Sequence, residues 1–173
     1  MKQTLLIILM LIALPSFVFA ESDVLPQLDR NKYSSFKTIE SFKIIKCIFR
    51  GNGAEKNGLI KEDLTDFIRL KFENNMAGFP YKEMTDFERQ VMTRNKFSAK
   101  GQVWVYVWVV GTDSPLACHI SLKAGSFDEG DQYTEAVLGV ASKEHLSRLV
   151  KYHINIILPI ASCRYYQASG KEV

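Results

Sequence analysis

"VWVYVWVV" (103–110), joined through "GTDSP" (111–115) to "LACHISLK" (116–123), is the stretch on which the fold turns. The first run is β-branched or aromatic throughout, the second alternates apolar with polar, and the connection carries turn chemistry, so a β-hairpin is predicted. Side chains alternate across a strand: Val103, Val105, Val107 and Val109 share one face, and Trp104, Tyr106 and Trp108 the other. With 112–115 as a four-residue loop, Gly111 pairs with Leu116. That register sets the valines beside Cys118, Ile120 and Leu122, and the aromatics beside His119, Ser121 and Lys123. One face is then aliphatic core. The other carries two tryptophans and a tyrosine among polar neighbours.

Upstream, "SFKIIKCIFR" (41–50) predicts a strand from Phe42 to Arg50. Ile60, Leu64, Phe67, Ile68 and Phe72 recur at three- and four-residue spacing and predict a helix from Ile60 to Asn75. Glu62, Asp63 and Asp66 lie near its positive N-terminal end. In 77–102 only Phe87, Val91 and Met92 hint at a short helix. Downstream of the hairpin, 124–135 reads as a polar loop, with a short strand at Ala136–Val140. Ser142 then caps a helix whose apolar stripe is Leu146, Leu149, Val150, His153, Ile154, Ile157 and Ala161. Pro159 is expected to kink or end that helix near Asn155. Strand, helix, hairpin, helix is an α+β order: a small, mostly antiparallel sheet with helices packed on one face.

The first twenty residues have the pattern of a secretory signal. Lys2 supplies a positive start, Leu5–Leu14 an apolar run too short for a bilayer span, and Val18 and Ala20 the small residues of a cleavage site. Cleavage after Ala20 leaves 153 residues, enough for one domain with a real core. The expected organisation is a signal peptide at 1–20, a polar arm at 21–41 and one domain at 42–173, periplasmic or secreted. The formal charge of +3, with Lys and Arg interspersed among Asp and Glu, gives no concentrated basic face and argues against nucleic acid. Nothing after residue 20 is long and apolar enough to span a membrane. Cys47, Cys118 and Cys163 in an oxidising compartment suggest one disulfide and one leftover thiol, with all three pairings open.

Between the first strand and helix lies "RGNGAEKNGLI" (50–60), which invites a phosphate-cradle reading. A dinucleotide fingerprint would need a third glycine where Lys56 stands. A P-loop would need lysine and a hydroxyl where Leu59 and Ile60 stand. The loop reads instead as a connection, with Asn52-Gly53 and Asn57-Gly58 supplying turn positions tolerant of positive φ. His145 and His153 are eight apart and miss the i, i+4 spacing of a zinc helix. Cys118 and His119 are strand neighbours that point to opposite faces, so neither activates the other. No catalytic, metal or cofactor site is selected.

What rises above the generic is the aromatic strand. Trp104, Tyr106, Trp108, His119 and Lys123 form the expected binding surface, because Trp and Tyr give wide contact at modest entropic cost. The expected function is an exported, soluble, non-catalytic domain that binds another envelope or extracellular macromolecule, a protein foremost. The alternatives are a hydrolase of envelope polymers, using His119 and loop carboxylates such as Asp128, Glu129 and Asp131, or a homodimer subunit that buries the aromatics. Against all three stands burial of the aromatic face beneath the N-terminal arm or the 77–100 segment.

Overall fold

The computed structural model describes residues 34–90, 99–112, 114–127 and 130–170. The expected signal peptide and most of the expected arm lie outside the described residues. After a 3-10 turn at Ser34–Thr38 come strand β1 (Ser41–Arg50), the one-turn helix α1 (Gly53–Lys56), helix α2 (Lys61–Asn75) and the short α3 (Asp86–Gln90). Strands β2 (Lys100–Val110), β3 (Leu116–Ser126) and β4 (Gly130–Ala141) follow, then a 3-10 turn at Lys143–His145 and helix α4 (Leu146–Ser169). The four strands lie side by side in the order β1-β2-β3-β4. β1 runs parallel to β2 and the other pairs are antiparallel, giving the mostly antiparallel sheet of an α+β fold.

The hairpin keeps the register read from its sequence: Val109 opposes Cys118, Val107 Ile120 and Val105 Leu122. All six are buried, and Leu64, Ile68 and Phe72 of α2 and Val150, Ile154 and Ile157 of α4 complete the same core. Both long helices therefore cover the valine face. At its far end, Tyr165 stacks edge-on against Phe79 at 4.3 Å, Phe36 at 5.2 Å and Phe42 at 5.4 Å. Its hydroxyl donates to the Ile39 carbonyl at 3.1 Å.

The outer edge of β1 is partly covered. Phe42 N–H donates to Pro80 O and Lys82 N–H to Phe42 O, both at 3.0 Å, while Cys47 N–H donates to Thr65 Oγ1 of α2 at 3.2 Å. A bulge between Phe42 and Ile44 drops Lys43 from the ladder, and its buried ammonium meets Glu88 of α3 at 2.8 Å.

Three expectations need correction. α4 continues through Pro159 to Ser169, because Ile154, Ile157 and Leu158 before the proline and Ser162, Tyr165 and Tyr166 after it are buried on the same body. That burial outweighs one missing backbone hydrogen bond. β4 has 12 residues and takes in much of the expected loop, since an edge strand with one open face tolerates polar positions. All three cysteines are free. Cys47 on β1 and Cys118 on β3 have β2 between them, about 10 Å at sheet spacing and beyond disulfide reach.

Candidate functional site

The face of the sheet opposite the helices is built in rows. Lys46, Trp104, Lys123 and Thr134 form one; Ile48, Tyr106, Ser121 and Ala136 the next; Arg50, Trp108, His119 and Leu138 a third; Val110, Ala117 and Val140 the last. No described helix lies over it. Trp108 is 50% exposed, Val110 51%, Leu138 79% and Val140 66%, while Trp104 and Tyr106 are half-buried. The Arg50 guanidinium sits 4.7 Å above the centre of the Tyr106 ring, and the Lys123 ammonium lies 5.9 Å from it. Both cations are within reach of the negative face of the ring.

All five residues expected on the binding surface, Trp104, Tyr106, Trp108, His119 and Lys123, stand on this face. Residues 80–84, within the segment weighed as a cover, run along the edge of β1 instead. Sequence reasoning missed Ile48 and Arg50, brought in by the parallel pairing of β1, and Leu138 and Val140, brought in by β4. The alternation Ala136, Leu138, Val140 was the available signal for the last two.

Trp108, Val110, Ala117, His119, Leu138 and Val140 line an open depression at one end of the face. Its described lining includes His119 and Cys118 and no carboxylate. Glu135 faces the helix layer and accepts a hydrogen bond from the Tyr133 hydroxyl at 3.0 Å. Asp128 and Glu129 lie outside the described residues, and Asp131 is placed by its register alone, opposite Gly125 of β3. The loop carboxylates expected of a hydrolase therefore have no side-chain placement among the described residues. Among them no three His, Cys, Asp or Glu side chains cluster as a metal site would need. Between α4, the sheet and the N-terminal turn lies an apolar cavity of about 20 Å³, room for about one water and too small for a ligand.

The glycine loop is packed rather than open. A Cβ on Gly53 would collide with the Val109 carbonyl of β2, and Asn57 Nδ2 donates to Gly53 O at 2.8 Å. Positive φ falls on Gly51 (70°) and Gly58 (84°), not on Gly53. The sequence reading of Gly58 therefore holds, and that of Gly53 changes from a turn residue to a point of close approach. Both ring nitrogens of His153 on α4 are buried without a hydrogen-bond partner beside Gly139 of β4.

No family model matches the chain, and no curated protein does. Among solved structures it is similar to PelC dodecamers from Paraburkholderia phytofirmans in two crystal forms, one of them a single-residue variant. Each is 8% identical over 70% of this chain and 87% of the other, with TM-scores of 0.45 for the variant and 0.44.

Proposed function

We propose that this chain is an exported, non-catalytic binding domain whose open sheet face docks a protein partner in the envelope or outside the cell. One observation carries the reading: a contiguous aromatic and aliphatic patch, centred on Trp108, that the chain's own long helices leave uncovered. An exposed apolar patch with a polar rim is what a partner site looks like. Trp104, Tyr106 and Trp108 stand on a rigid central strand, so they bind without paying much to be ordered. Lys46 and Arg50 rim the patch and suit carboxylates on the partner.

The test is affinity capture from the envelope of the producing cell, with Trp104→Ala/Trp108→Ala as control. A protein retained by the wild type and lost by the double variant supports the reading, provided circular dichroism and the urea midpoint show an intact fold. A folded double variant that retains the same partners would defeat it.

A further inference from the structure

We infer that the outer edge of β4 is a self-association edge, at which a second copy of this chain adds its own β4 antiparallel about a two-fold axis near Leu138. The site is the rim of the sheet and does not depend on the proposed role of its open face.

The two edges of the sheet are treated differently. β1 has outward backbone groups of Phe42, Lys43 and Cys47 answered by 80–84 and by Thr65, whereas residues 134–141 of β4 make no backbone hydrogen bond beyond β3 among the described residues. Soluble proteins usually blunt a long edge with charge, proline or a bulge. "TEAVLGVA" (134–141) has one charge and no proline, and β4 pairs regularly with β3 from Tyr133 onward. Apolar side chains flank this edge in both layers. Leu138 and Val140 project on the open face, and below them Tyr152 and Leu149 of α4 share a groove with Val140 and Ala141. Ile156, exposed and one turn after Tyr152, continues the helix side of the strip.

Charge selects the occupant. With Leu138 opposite itself, Glu135 of one copy lies opposite Ala141 of the other, and Arg148 lines the groove beside Ala141. Glu135 and α4 are on the same side of the sheet. The carboxylate of each copy thus approaches the guanidinium of the other, twice by symmetry. One strand and its flank supply both halves of the seam, which a foreign strand would have to match by chance. Stacking two open faces would instead bring Lys46 and Arg50 of both copies, like charges, against one another.

Sedimentation equilibrium and light scattering across the micromolar range test the inference. The wild type should form a reversible dimer that Trp108→Ala leaves intact. Glu135→Arg and Arg148→Glu should each weaken it at least 10-fold, and the double variant should restore it. Leu138→Cys, at a highly exposed position, should oxidise to a dimer cross-linked through residue 138, since directly opposed residues lie about 5 Å apart. A wild type monomeric throughout overturns the inference. So does a dimer that ignores the charge variants, one that the double variant fails to restore, or one that is not cross-linked through residue 138. Loss of the dimer with Trp108→Ala alone would locate the contact on the open face and also overturn it. Capture of a foreign protein bears on that face and leaves this outcome untouched.

Discussion

Cys47 shows how much a single buried position fixes. It stands on the core face of β1, fully buried, and burial pushes its thiol from the ordinary 9.0 up to about 12. In the unfolded chain the thiol ionises near 9.0, while in the folded chain it stays protonated to about 12. Between those values the unfolded state has released a proton that the native state retains, so stability falls as pH rises, by up to about 1.4 kcal/mol per pH unit. Burial likewise raises Cys118, and Tyr165 adds the same sign at higher pH. Urea midpoints measured from pH 8.5 to 10.5 should therefore decline, and less steeply in Cys47→Ala. A thiol reagent at pH 8 should modify Cys163 in the native protein, and Cys47 and Cys118 only in denaturant. At Gly53 the missing side chain is the point. Gly53→Ala drives a methyl into the Val109 carbonyl, and a loss of about 2–4 kcal/mol in the urea midpoint analysis is expected. The sequence showed a glycine there but not its reason, because close approach belongs to tertiary structure and leaves no local pattern.

Among the elements, those with strong periodicity were legible: β1 and α2 within a residue, and the hairpin in its register and turn, though β2 begins three residues earlier and β3 ends three later than the pattern marked. β4 and the length of α4 were not. β4 mixes Glu135, Thr134 and Tyr133 with small apolar residues, and nothing local marks an edge strand whose outer neighbour is solvent. α4 keeps its course past Pro159 because of side chains it buries 80 or more residues away in sequence, as in the Ser162 hydroxyl's bond to Asn75 O at 2.6 Å. β4 meets α4 closely at Gly139, where a Cβ would stand 2.8 Å from both His153 Nε2 and Leu149 Cδ2 and 3.3 Å from Cys118 Sγ. Gly139→Ala should cost about 1–3 kcal/mol. Combined with His153→Ala it should cost less than the sum of the two, a double-mutant cycle that reads the contact directly. The tie between α3 and β1 is electrostatic. Lys43, donating to Glu88 at 2.8 Å, holds that carboxyl down to about 2, with help from Thr85. A depressed carboxyl stabilises above its ordinary 4.5 and is lost as pH falls through about 2. Glu88→Gln should accordingly lower the urea midpoint at pH 7 and do so far less at pH 2.

At the scale of the whole molecule, one sheet has two faces made by the same strands, and they should answer mutation oppositely. Val103, Val105 and Val107 point into the core; Trp104, Tyr106 and Trp108, one residue out of step, do not. Their alternation was legible because the period of a strand is two and the hairpin register followed from its loop length. Which face the helices would choose was legible too, since a uniform aliphatic face buries without unmet polar groups. A face that folding does not use should contribute little to stability. Trp108→Ala and Val110→Ala, at half-exposed positions, should each change stability by less than about 1 kcal/mol. Leu122→Ala, fully buried on the neighbouring strand, should cost about 2–5 kcal/mol. Urea unfolding of the three variants at one protein concentration decides the matter. If Trp108→Ala were as costly as Leu122→Ala, the open face would be packed in the isolated protein, and a surface already spent on folding could not be the one that receives a partner.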